Sequence, residues 1–479
     1  FARSAYDRHR MHILIIGAGR IGRSVAENLV NESNDITIVD QDAERVSALE
    51  TRLDLRGVTG NALSPSVLES AGANDADMIL AVTANDETNM AVCLLASQLF
   101  NIPTRIARVR NQELRQYPRL LAEEGFQITS TIWPEQALNE SLLRLIEFPE
   151  ALQIIDFAEG KAVLFCVRAV AGSPLVGRPI GDLAVHLPHV PARIVSVFRR
   201  NRRLDISSET VIESGDEVIA LSSGRDVRRV ISELRQHEER IRRIMIAGNA
   251  RLGVQLAGLL NGPEGRRGYT ITILDEDVAL CTSLAAAVPK DTELVTANLT
   301  DEEALTELCV DRCDLFISLS SRDENNIMGA LLAKKLGARR VIALTDSDTF
   351  SALMQGTQID VTVSSTQATI GELLRHVRRG DVLAAHSLRR GVAEALEIVA
   401  HGNKRSSRVV GKRIADIDLP EGVEIAALVR DTDDIEEPEV LIAQKDVVVE
   451  PEDRVIVFVP GKRVIPQVEK LFAVDVGFF

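Results

Sequence analysis

The chain has 479 residues, 45% of them hydrophobic but only 4% aromatic, with a formal charge of −15 at pH 7. Such a length holds several domains, the aliphatic bias suits parallel-sheet cores, and the negative charge argues against a nucleic-acid partner. No apolar run approaches the ~18 residues of a membrane helix, so a soluble or peripheral chain is expected.

Residues 1–10 lack the apolar centre of a signal peptide and are expected to be a tag or an upstream extension. The apolar run His12–Ile16 then leads into Gly17-Ala18-Gly19-Arg20-Ile21-Gly22, a helical stretch, and Ile36-Thr37-Ile38-Val39-Asp40. In this pattern the first glycine turns strand into helix, the second lets a pyrophosphate approach the backbone, and the third lets helix pack on strand. Backbone N–H groups at the helix start face the phosphates, with the helix dipole behind them. Asp40 is placed to accept from ribose hydroxyls, which disfavours the extra phosphate of NADP. Arg20 can reach a terminal phosphate with a bidentate fork; a surface arginine is the plainer alternative.

A helix at Ala43–Arg52 and a strand ending in Val58-Thr59-Gly60-Asn61-Ala62 come next. A short helix (Pro65–Ala71), a strand (Met78–Thr83), a long helix (Glu87–Phe100) and a strand (Thr104–Val109) follow. This alternation predicts a doubly wound parallel sheet with ligands outside the carboxyl ends of its strands. An amphipathic helical segment, Trp133–Glu147, leads to a strand-rich region marked by Ala162–Val167, Arg193–Phe198 and Asp216–Leu221.

The same events then recur. Ile244–Ala247, Gly248-Asn249-Ala250-Arg251-Leu252-Gly253 and Thr270–Asp275 repeat the signature half a chain later. Ala250 stands in the place of Gly19, so its methyl group is expected where a pyrophosphate would approach, leaving a weakened or altered site. Cys313–Phe316 answers Ala76–Ile79, and Arg322–Asn326 answers Asn85–Asn89; the drift in register is assigned to an insertion at Asn261–Gly265. Thr366–His401 reads as a helical linker, and Val423–Val429 and Asp453–Val459 as strands of a second small domain, with matching turns at Leu175–Ile180 and Val409–Ile414. The expected fold is α/β: two Rossmann-like doubly wound parallel-sheet domains, each followed by a small α+β, β-rich domain. The boundaries are 11–132, 133–150 (crossover helix), 151–238, 239–365, 366–402 (helical linker) and 403–479.

Through Gly17–Gly22, Asn34–Asp40, Asp75–Met78, Asp86–Met90 and Ser387–Ala395, the chain from Met11 onward resembles the regulator-of-potassium-conductance (RCK or KTN) family in double copy. That arrangement is found in the peripheral subunits of bacterial Trk-type potassium uptake systems. The resemblance implies NAD(H) and ATP or ADP as ligands and a membrane-embedded Trk potassium channel-like subunit as partner. It also implies a cytoplasmic place on the inner face of the membrane, and a homo-tetramer forming a ring of eight nucleotide-type domains. Carried over by residue, Gly17, Ala18, Gly19, Arg20, Ile21 and Gly22 form the phosphate turn, Asp40 takes the ribose, and Asn61, Ala62, Thr83, Ala84 and Asn85 line the adenosine pocket. Gly248, Asn249, Ala250, Arg251, Leu252, Gly253 and Asp275 form the second set.

A dehydrogenase needs an acid, base or nucleophile facing the nicotinamide. The eight histidines, His9, His12, His186, His189, His237, His376, His386 and His401, form no recognisable catalytic constellation, and no Gly-x-x-x-x-Gly-Lys-Ser/Thr loop is present. Five cysteines without a Cys-x-x-Cys pair suit reduced thiols. The basic clusters Arg199–Arg203 and Arg375–Arg379 and the acidic cluster Asp431–Glu437 read as solvated surface. No catalytic residue and no metal site is assigned. The first reading is a nucleotide-sensing gating subunit; the alternatives are a soluble NAD-dependent oxidoreductase, which steady NADH turnover would reveal, and a scaffold with vestigial pockets, which would bind no nucleotide.

Overall fold

The computed structural model describes all residues except 1–10, 31–33, 123, 237–239, 263–267, 348–349, 351–357, 378–381, 389–391, 432–438 and 475–479. The N-terminal extension therefore lies outside the described residues. So do Pro263–Gly265 of the expected insertion and parts of the Arg375–Arg379, Ser387–Ala395 and Asp431–Glu437 segments. Two compact units divide the chain.

The first unit comprises residues 1–137, 366–378 and 461–467. Its sheet contains β1 (His12–Ile16), β2 (Asp35–Asp40), β3 (Arg56–Thr59), β4 (Met78–Ala81), β5 (Thr104–Arg108) and β6 (Ser130–Ile132), in the order β3-β2-β1-β4-β5-β6. The pairings are parallel. Ile13, Leu14 and Ile15 are fully buried, the continuous apolar run that a strand covered on both faces requires. Asp77 pins the start of β1 by accepting from the His12 N–H at 2.8 Å. Chain order reverses between β1 and β4, the switch point beside which such sheets open a cleft.

The second unit, residues 138–365, 379–460 and 468–479, contains a second parallel sheet and two antiparallel ones. Its β12 (Arg243–Ala247), β13 (Thr270–Asp275), β14 (Thr292–Thr296), β15 (Leu315–Ser318), β16 (Arg340–Leu344) and β17 (Val361–Val363) repeat the first topology as β14-β13-β12-β15-β16-β17. Asp314 repeats the role of Asp77, accepting from the Arg242 and Arg243 N–H groups at 2.7 and 2.9 Å. Leu138, Leu142, Leu145 and Ile146 of the helix Pro134–Glu147 are buried in the same cluster as Ile244, Ile246 and Ile273.

The small domains follow one plan. The first contains β7 (Ala151–Phe157), β8 (Ala162–Arg168), β9 (Ala192–Arg199), β10 (Arg202–Arg203) and β11 (Glu217–Ser223), ordered β7-β8-β11-β9-β10. The second contains β18 (Val382–Leu388), β19 (Ala393–Val399), β20 (Glu424–Arg430), β21 (Glu439–Ile442) and β22 (Arg454–Val459), ordered β18-β19-β22-β20-β21. Bidentate pairs Arg199–Asp216 and Arg430–Asp453 occupy equivalent places. The expected matching turns each make one bridge, Pro179 with Val211 and Arg413 with Val448. The two sheets share an apolar cluster, with Phe157, Leu164, Phe198 and Ile219 against Ala395, Ala426, Ile456 and Phe458. Arg193 stitches the seam by donating to the Ala443 carbonyl and the Glu424 carboxylate, both at 2.9 Å.

One expectation fails here. The segment 366–402 is not a helical linker throughout: helix covers Ser365–Val377, and β18 and β19 belong to the second small sheet. Glu394 and Glu397, three residues apart, mimic the polar face of a helix. Both are in fact buried in β19, at 0% and 4% exposure, so the spacing misleads.

Candidate nucleotide-binding site

In the first cleft the three glycines behave differently. Gly17 has φ +106°, and a Cβ there would sit 3.1 Å from the Thr83 backbone. At Gly22 a Cβ would sit 1.8 Å from the Gly17 carbonyl oxygen, so helix Arg20–Leu29 rests directly on the turn. Gly19, by contrast, has no atom within 4 Å of such a Cβ: it faces open space, as a backbone that receives a phosphate should. The helix has no side-chain cap and no acidic residue in its first turn, which leaves its positive end suited to an anion. Arg20 is exposed at its first position.

Asp40 ends β2 and does more than await a ribose. Its Oδ2 accepts from the Ala18 N–H at 2.6 Å and its Oδ1 from the Asp42 N–H at 2.9 Å, so the carboxylate braces the glycine turn. An ionised carboxylate offers about four acceptor positions, so capacity remains for hydroxyls.

The loops after β3 and β4 meet the same carboxyl edge. Asn61 closes its turn by accepting from the Leu63 N–H at 3.0 Å, and Ala62 is buried beside it. Asn85 caps helix Asp86–Phe100 through the Thr88 N–H at 2.7 Å. Asn89, which sequence reasoning assigned no role, is fully buried and ties this loop together. It accepts from the Thr83 N–H at 2.9 Å and the Thr83 hydroxyl at 2.7 Å, and donates to the Arg108 carbonyl at 2.9 Å.

Arg108 itself was also missed. It ends β5, and its Nη1 donates to the Thr83 carbonyl at 3.4 Å while its buried Nε has no hydrogen-bond partner. Burial lowers its pKa from 12.5 to about 10, and the nearby Arg110 and Arg20 push it the same way against the pull of Glu135 and Asp86. A cation held under that penalty at the ligand edge of the sheet calls for an anion. The available signal was a charged residue at the carboxyl end of a predicted parallel strand.

The second cleft has the same scaffold with different surroundings. Gly248 keeps a positive φ of +89°, and Asp275 accepts from the Ala250 and Asp277 N–H groups at 2.7 and 3.0 Å. Asn326 repeats Asn89, accepting from the Ser320 N–H at 2.7 Å and donating to the Leu344 carbonyl at 3.0 Å. Here, however, helix Ala250–Asn261 starts one residue earlier in the motif and is capped by Asn249, which accepts from the Leu252 N–H at 3.1 Å. Ala250 is fully buried in the apolar cluster of this unit. Arg251 is exposed on the first turn, and at Gly253 a Cβ would meet Ile273 at 2.9 Å. Leu299, where the first copy has Ala62, reaches within 2.8 Å of a Cβ built at Gly248, in space opened by Gly329. Leu344 takes the position of Arg108. The second cleft has therefore lost its strand-end cation, gained a leucine and satisfied one of its helix-start donors internally.

Two modules of Rossmann-like unit plus small antiparallel domain, each with a glycine turn, make up a tandem α/β chain. The fold agrees: the GsuK RCK domain superposes with TM-score 0.58 at 20% identity, covering 97% of this chain and 96% of that one. The GsuK channel bound to NAD gives 0.57 at 18% identity, covering 97% and 79%. The TrkA-N domain model matches residues 13–127 and 244–365, and the TrkA-C domain model residues 164–235 and 404–473. The chain belongs to the TrkA family. Trk system potassium uptake protein TrkA of Halomonas elongata is 45% identical over 469 residues, covering 98% of this chain and all of that one. The protein of the same name from Vibrio alginolyticus is 43% identical over 463 residues, covering 96% and 98%. These relatives are named as potassium uptake proteins of the Trk system, not as enzymes.

Proposed function

We propose that this chain is the nucleotide-sensing regulatory subunit of a Trk-type potassium uptake system, acting from the inner face of the membrane on a membrane-embedded potassium-translocating partner. The carrying observation is the first cleft, where a glycine turn with open space at Gly19 and an uncapped helix start lie in the same cleft as Arg20 and Arg108. Nicotinamide adenine dinucleotide, ATP and ADP are its ligands, with Asp40 on the ribose and the two arginines on phosphates. The names of the relatives support the transport role, and the NAD named with the GsuK channel supports the ligand class. Among the described residues no helix is long and apolar enough to cross a membrane.

The mechanism is an equilibrium shift. A nucleotide moves a two-state population only by its differential affinity for the two states. ATP and ADP differ in terminal charge, which Arg20 and Arg108 read. A tenfold preference is worth about 1.4 kcal/mol per site, so four first clefts in a homo-tetrameric ring contribute on the order of 5 kcal/mol, enough to invert a population. Calorimetric titration of NADH, ATP and ADP into the wild type, Asp40→Ala and Asp275→Ala tests this. Loss of binding in Asp40→Ala alone is expected. Steady oxidation of NADH with a metabolite, or equal binding in all three chains, overturns the reading.

A further inference from the structure

A cavity of about 320 Å³ opens in the second unit, and neither glycine turn is part of its lining. It lies between the first small domain, which contributes Arg168 at the end of β8 and Arg235 after helix Val227–Leu234, and the second Rossmann unit, which contributes Lys334 and Arg340. Among the described residues Asp360 is the one carboxylate in the lining, so these walls carry four cations against one anion, a net charge of +3, in a chain whose total is −15. Arg340 is 4% exposed and is fixed by donating from Nη2 to the Ala151 carbonyl at 2.8 Å. Lys334 pairs with Asp360 at 2.7 Å, and Asp360 is further held by the Val341 N–H at 2.8 Å. Arg168 pairs with Glu217 at 3.1 Å on the open side.

We infer that this cavity is a binding site for a small oligophosphate bearing at least two phosphate groups. Four cations lining one cavity match a ligand of several negative charges, and guanidinium forks suit phosphate oxygens. The volume is at the small end of ligand pockets, larger than a single inorganic anion needs. Among the described residues only Leu152 and Ile359 supply apolar surface and no aromatic side chain lines the walls, so none of them stacks a base. Recognition is of charge, and a free oligophosphate or the phosphate tail of a nucleotide satisfies it equally. Occupancy would join the small domain to the Rossmann unit through the ligand, a second input independent of the glycine-turn clefts.

The test is calorimetry of inorganic tripolyphosphate binding to the full chain. The wild type is compared with Arg168→Gln/Arg235→Gln, which alters the cavity, and with Arg20→Gln/Arg251→Gln, which alters the clefts. At the cavity site the affinity should fall at least about tenfold in the cavity variant, the worth of one charge-assisted hydrogen bond, while a tripolyphosphate site persists in the cleft variant after any binding by the clefts themselves is gone. Arg235→Lys, which keeps the charge, should retain most of the binding and shows that the loss is electrostatic rather than a failure to fold. Competition by ATP in the cleft variant marks a nucleotide tail as an occupant, and its absence marks free oligophosphate; both agree with the site. No heat from the wild type, or a loss seen only in the cleft variant, overturns the inference.

Discussion

Replacing Arg108 with Met should move stability and ligand affinity in opposite directions. The folded chain holds this guanidinium at a pKa of about 10 instead of 12.5, which at 1.36 kcal/mol per pKa step is roughly 3 kcal/mol against the charged form. Arg108 is only half-buried, so solvent screening reduces the recoverable part to about 1–2 kcal/mol. Met keeps the bulk of the aliphatic stem and sacrifices the long 3.4 Å bond to Thr83 together with the attraction of Glu135 and Asp86. The nucleotide-free variant should therefore resist urea better by about 1 kcal/mol, seen as a higher midpoint at constant slope. The folded value lies below the unfolded one, so the penalty is present at neutral pH, where the side chain is charged, and fades as pH rises through about 10. Affinity for NADH and ATP should fall ten- to a hundredfold, because a charge-assisted contact to phosphate is worth about 1.5–3 kcal/mol. A variant that binds both nucleotides like the wild type refutes the role given to Arg108, whatever its stability.

Asn89→Ala leaves the Thr83 N–H and the Arg108 carbonyl without their buried partner; the chain should lose about 2–4 kcal/mol in urea unfolding and its nucleotide response with it. Ala250→Gly alone, made in a chain whose first cleft is silenced by Asp40→Ala, should not restore nucleotide binding, because the Asn249 cap and Leu299 remain; recovery by that single change would show that the methyl group was the obstacle after all. Adding Asn249→Ala and Leu299→Ala should reopen the turn, readable as a gain in nucleotide-dependent thermal stabilisation. Burial raises the pKa of Glu397, opposed by the Ala158 N–H and by Arg454. Its stabilising contribution is thus full in acid, where it is protonated, and is lost as pH rises through the raised folded value. Glu397→Gln should flatten that slope and make the chain more stable at neutral pH; urea midpoints that keep the wild-type pH dependence would count against it.

Local pattern carried much of the architecture. The helix Ala43–Arg52 and the continuous apolar strands were readable because each obeys one period and ends at a polar or turn residue. The doubling was readable because Asp77 and Asp314, or Asn89 and Asn326, perform the same local bond in each copy. What stayed hidden depends on partners distant in sequence. Glu394 and Glu397 look solvated until β19 is buried in a sheet, and Arg108 is an ordinary arginine until Arg20 and Thr83 are brought beside it. Likewise the difference between the clefts was ascribed to the Ala250 methyl, while the folded chain adds Leu299, which fills a space that Gly329 vacates in another helix.

The seam between the small sheets carries a consequence for how such a protein can change. Where two identical chains associate through a shared apolar face, any substitution falls on both at once, and a leucine introduced in one cleft appears in the other. Here a single polypeptide spans both small sheets, which meet through Phe157, Phe198, Ala426 and Phe458. Ala62 and Leu299, or Arg108 and Leu344, are thus independent letters of one text. Covalent linkage allows the linings of the two clefts to diverge while the fold of both halves is kept.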